Sequence, residues 1–160
     1  MSKPDWLEFA EEYINLKEIK GPKHNMDILD FWDDIKLGGI NTDEVPWCAA
    51  FVGAILERCG IKSTRSGMAK SYLNWGTRLT TPVQGCVVVF TRKGGGHVGF
   101  VEGVDKAGNL YVLGGNQSDA VNVKLFKTSN VVGYRWPSGF DLIDHLPILT
   151  TATTFETRVV

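Results

Sequence analysis

The stretch Pro46-Trp-Cys-Ala-Ala-Phe-Val-Gly-Ala-Ile-Leu-Glu-Arg-Cys-Gly60 reads as a helix from its opening residue to its stop. Proline suits a first helical turn, where its missing N–H would have had no intrahelical partner. Cys48, Phe51, Val52, Ile55, Leu56 and Cys59 recur at helical spacing as one apolar stripe, and Arg58 and Gly60 supply the stop. Just upstream, Asn41-Thr-Asp-Glu-Val45 carries acceptors suited to capping this helix.

Working outward, residues 5–16 place Trp6, Phe9, Ala10, Tyr13 and Ile14 on one helical face, and residues 26–34 form a second helix before Gly38-Gly39. A Gly/Pro-punctuated loop joins them. The spacing predicts a further short helix over residues 68–75, ended by Gly76. From Pro82 the period changes to that of strands, over residues 86–90, 97–104, 110–113, 121–126 and 131–136. Asp105-Lys-Ala-Gly-Asn109 has hairpin chemistry, and Lys93-Gly-Gly-Gly96 is a flexible turn. Helices first and an antiparallel meander after them make an α+β domain, with residues 1–137 as its single unit. Residues 138–160 are a C-terminal extension, and Thr150-Thr-Ala-Thr-Thr154, which has no packing period, is expected to be loosely held.

Bulk composition excludes several classes. The chain of 160 residues is long enough for one core without metal or disulfide staples. A formal net charge of −1, with scattered lysines and arginines, leaves nothing to draw it to nucleic acid or to an anionic membrane surface. Three cysteines without a C-x-x-C pair, and only three histidines, argue for reduced thiols and against a structural zinc site. The acidic start lacks the apolar segment of a signal peptide, and no apolar run reaches the roughly 20 residues of a membrane span. Synthesis in the cytoplasm, no cofactor and a monomer are the expectations.

Two residues stand out chemically. Cys48 opens its helix, where orphan N–H groups and the positive dipole end favour a thiolate. The competing reading is an inert core cysteine, and Cys59 and Cys86 are read that way. His97 lies on a strand among Gly95, Gly96 and Gly99, which leave room for a helix end or a substrate chain. If Cys48 and His97 meet, they form the nucleophile and base of a cysteine hydrolase. Such a base needs a third group to hold its tautomer. Asn116, just past the next strand in Gly114-Gly-Asn-Gln117, is the candidate, because alternation turns Glu102 to the other face.

The order of cysteine on a helix, histidine on a strand and Asn after the next strand resembles the papain-like cell-wall hydrolases called CHAP and NlpC-type domains. Leu16-Lys-Glu-Ile-Lys-Gly-Pro-Lys-His-Asn25, Asp43-Glu-Val-Pro-Trp-Cys-Ala-Ala-Phe-Val52, Gly96-His-Val-Gly-Phe100, Gly114-Gly-Asn-Gln117 and Gly133-Tyr-Arg-Trp-Pro137 carry the likeness. The resemblance implies Cys48 as nucleophile, His97 as general base and Asn116 as orienting group. It implies bacterial peptidoglycan as substrate, cut at an amide of the stem peptide, the cross-link or the muramoyl–alanine bond. Trp47, Trp75, Gly96 and Gln117, with Tyr72 and the glycine turn, are the candidate groove residues. Calcium-binding relatives carry an Asp-rich loop before the cysteine. Asp43-Glu44 does not reproduce it, so no metal is expected.

A wall hydrolase without an export signal fits a phage endolysin released by a holin. It also fits an injected antibacterial effector with an immunity protein. The rival classes are an idle wall-binding or phage structural module and another acyl-transfer enzyme on the same scaffold.

Overall fold

The computed structural model describes residues 3–19, 24–39 and 46–150. Within them lie three α-helices, α1 (Asp5–Glu11), α2 (Met26–Asp34) and α3 (Cys48–Arg58). The strands are β1 (Thr77–Leu79), β2 (Val87–Arg92), β3 (Gly95–Val104), β4 (Leu110–Gly114), β5 (Asn122–Phe126) and β6 (Val131–Trp136). Short 3-10 segments cover Ala69–Asn74 and Thr128–Asn130. The α+β class expected from the change of period is the class observed.

All six strands form one antiparallel sheet in the order β1-β6-β2-β3-β4-β5. The meander expectation therefore holds only for β2 to β5. β6 crosses back to the far edge of β2, and β1 lies outside it. Alternation identifies strands but carries no information about which free edge a later strand will take. β1 escaped sequence reading because it has only three residues, two of them exposed, and so shows no alternation.

Helix α1 is shorter than its apolar spacing suggests. After Glu11 the chain turns, reaching Asn15 at φ +84°, because Asn15 and Leu16 exchange backbone hydrogen bonds with Val121 at 2.9 and 2.8 Å. The expected helix over residues 68–75 is a 3-10 segment. The central element is α3, packed between α2 and β3, with every residue from Cys48 to Leu56 buried. Phe31, Trp47, Phe51, Tyr72 and Phe100 are fully buried around it. Burying one such aromatic side chain contributes about 2 to 3 kcal/mol.

The chain after β6 returns to the sheet. Val104 donates to Pro147 O at 2.9 Å and accepts from Leu149 N at 2.7 Å, while Gln84 N donates to His145 O at 2.7 Å. Pro147 and Leu149 come so close to Gly103 that a Cβ there would stand 2.6 Å from Pro147 O. Thr151 to Thr154, expected to be loosely held, lie outside the described residues, as does the capping loop at 41–45.

Candidate active site

Cys48 is the first residue of α3 and is 8% exposed. Its sulfur meets the backbone N–H groups of Val98, Ala49 and Cys48 itself. The Val98 contact brings the Cys48 thiol to the residue beside His97 on β3. Burial dominates its electrostatics and pushes the thiol up, against the three N–H groups and the charge of Arg92, which pull it down. The expectation of a thiolate favoured by the helix start is thereby reversed: desolvation outweighs the helix end. Burial also pushes up the other two thiols, Cys86 to about 12.

His97 is 1% exposed, and its ring stacks on Phe126 at a centroid distance of 5.5 Å, with Phe90 at 6.1 Å. This apolar enclosure depresses the imidazole to about 4; the bond to Gln117 opposes the shift, and the charges of Arg92 and Lys124 add to it. At neutral pH the site thus holds an uncharged thiol and an uncharged imidazole.

The third group is where the structure departs from the sequence reading. His97 Nε2 lies 2.9 Å from Gln117 Oε1, and Gln117 is buried. Asn116 does not take this position. It sits in the left-handed region at φ +57°, which Asn tolerates better than most residues, and this bend turns the next side chain inward. Gln117 Nε2 donates to Val112 O at 3.2 Å and to Asn122 O and Oδ1, both at 2.9 Å. Two of those acceptors are backbone carbonyls, so the orientation of the amide is determined: nitrogen toward the carbonyls, oxygen toward His97. An amide oxygen can only accept. The imidazole proton therefore sits on Nε2, and Nδ1 keeps its lone pair. Gly114 makes the contact possible, since a Cβ there would stand 2.4 Å from Gln117 Oε1 and 3.4 Å from His97 Nε2.

A groove of about 290 Å³ opens at Cys48, walled by Pro46, Met68, Ala69, Lys70 and residues 94–96. Gly96 lines it. Trp47 does not: it is fully buried, and its indole donates to Glu18 Oε1 at 3.1 Å. Tyr72 is likewise core. Trp75 faces a separate depression with Gly60 and Phe140 and donates to Lys62 O at 2.8 Å. Gln117, expected in the groove, is instead turned onto His97. Neither the enclosure of the imidazole by Phe90 and Phe126 nor the groove position of Lys70 was read from the sequence. A histidine on a strand facing an aromatic two strands away leaves no local signal.

The family model of the CHAP domain matches residues 40–116, the span that runs from the approach to Cys48 through His97 to Asn116. Over that span the chain is similar to the CHAP domain. CHAP domains belong to peptidoglycan hydrolases, and the six-stranded sheet with α3 against β3 is consistent with that fold. No curated protein matches the chain. Gln117 follows immediately after the matched span of the CHAP domain. Among the described residues, no group of His, Cys, Asp and Glu side chains is placed to hold a metal ion, and Asp43 and Glu44 lie outside them. No helix among the described residues is long and apolar enough to cross a membrane.

Proposed function

We propose that this protein hydrolyses an amide bond of bacterial peptidoglycan, as a monomer, with Cys48 as nucleophile, His97 as general base and acid, and Gln117 as the residue that orients His97. The observation that carries the reading is the Gln117 amide, held by two backbone carbonyls so that Nδ1 of His97 is the basic nitrogen. Because thiol and imidazole are both uncharged at rest, proton transfer accompanies attack. The Sγ proton passes to Nδ1 as the sulfur–carbon bond forms and the carbonyl oxygen gains negative charge. The positive end of α3 and the charge of Arg92 favour that oxyanion. Collapse breaks the carbon–nitrogen bond, and Nδ1 returns the proton to the leaving amine. Water then gives a proton to Nδ1 and its hydroxide to the thioester, releasing the acid, and the sulfur recovers its proton.

Digestion of purified sacculi followed by mass spectrometry tests this. Wild type should release new fragments, and Cys48→Ala should lose on the order of 10⁶ in turnover. A new lactyl, carboxyl or amine terminus would name the bond. Intact sacculi after treatment with folded wild type would refute the reading. We assign catalysis to residues 1–137, with 138–160 as an extension to that unit. The cellular setting we propose is lysis from within, as a phage endolysin. Expression in a bacterium should lyse cells only when a holin is co-expressed, and lysis without one would overturn that setting.

A further inference from the structure

Among the described residues, the groove at Cys48 has one charged wall. Lys70 lines it, and the other lining residues carry no ionic group apart from the thiol itself. The stem of Lys70 lies over Gly96, where a Cβ would approach Lys70 Cγ to 3.2 Å, so a glycine at 96 lets the lysine lie along the groove. Lys70 is exposed and makes no hydrogen bond or ion pair among the described residues. A second cation stands in the hairpin of β2 and β3, whose turn lines the groove. Arg92, paired with Gly95, is also exposed, and its charge acts on both Cys48 and His97. No carboxylate among the described residues lines this groove. An ammonium covered by a neutral ligand loses hydration without return, whereas a carboxylate gives it a charge-assisted partner.

We propose that Lys70 binds a free carboxylate of the substrate close to the amide that is cut, and so selects anionic peptides over amidated ones. This rests on the hydrolase reading for its substrate class, but it concerns binding and can be measured without turnover. A lysine-type stem tetrapeptide carries two such carboxylates, the α-carboxylate of the isoglutamate residue and the C-terminal one.

The test uses Cys48→Ala, which keeps the groove and stops turnover, and three synthetic probes. These are the tetrapeptide Ala-isoGlu-Lys-Ala, its isoglutamine form, and its C-terminal amide. Dissociation constants come from NMR titration. One of the two amidations should weaken binding roughly fivefold, and which one does so identifies the carboxylate. Adding Lys70→Ala should bring the ratio to about one, while Lys70→Arg should preserve it. A ratio near one before Lys70 is changed, a ratio that survives Lys70→Ala, or no binding of any probe would each overturn the proposal. If wild type fails to cleave sacculi yet the Lys70-dependent ratio appears, hydrolysis is the reading that fails and carboxylate selection stands.

Discussion

Acidification from about pH 7 to about pH 4.5 should destabilise this protein through His97 alone by about 2 kcal/mol. The imidazole moves from an ordinary 6.5 to about 4 in the folded state because Phe90, Phe126 and the sheet exclude water from it. The sign follows from proton counting. Above 6.5 neither state binds the proton, so the residue costs nothing. Between 6.5 and 4 the unfolded chain binds it and the folded chain does not, so stability falls with pH at up to about 1.4 kcal/mol per unit. Glu57, held down to about 2 by Arg65 and Ser63, acts lower on the scale, because its stabilisation is lost only as pH falls from its ordinary 4.5. Urea unfolding at half-unit steps between pH 7 and pH 4.5, for wild type and His97→Gln, isolates the term. Wild type should show the extra slope and the variant should lack it. Equal slopes in the two proteins would mean that the imidazole is hydrated or charged in the folded state, and the neutral site described above would be wrong.

The remaining predictions concern catalysis. Gln117→Ala should lower kcat on the order of 10²-fold with little change in KM, whereas Asn116→Gly, which suits a φ of +57°, should keep turnover within about twofold; steady-state kinetics on a soluble muropeptide checks both. Gly114→Ala should displace Gln117 and match the loss in Gln117→Ala, and the double variant should be no worse than either, because all three remove one contact. The acid limb of kcat/KM should fall near pH 4, where His97 takes up a proton, and a limb near 6.5 would contradict its enclosure.

Much of the fold was legible because it is written in local periodicity. The apolar stripe from Cys48 to Cys59 identified α3, and alternation found five of the six strands. What failed was non-local. Residues 12–16 keep a helical spacing, yet Val121 draws Asn15 and Leu16 into backbone pairing. Alternation marks β6 as a strand but does not show that its neighbour is β2 rather than β5. Trp47 and Trp75 are groove candidates in sequence because an aromatic side chain looks the same there whether it faces solvent or core. Only packing turned Trp47 toward Glu18 and Phe31.

The candidate site divides along the same line. Sequence by itself determined that a thiol starts a helix and that a histidine lies on a glycine-flanked strand, because both depend on residues within a turn or two. Tertiary structure decided the rest. The β4–β5 register sets Asn122 opposite Gly114, and the left-handed bend at Asn116 returns Gln117 to meet Asn122 and His97 together. Which of Asn116 and Gln117 reaches the imidazole depends on the backbone path of this turn, where Asn116, Ser118 and Asp119 all have positive φ, a conformation that the residue types permit but do not impose. The charge states were decided there too, since desolvation sums over every neighbour packed around a group, and those neighbours come from strands and helices far apart in the chain.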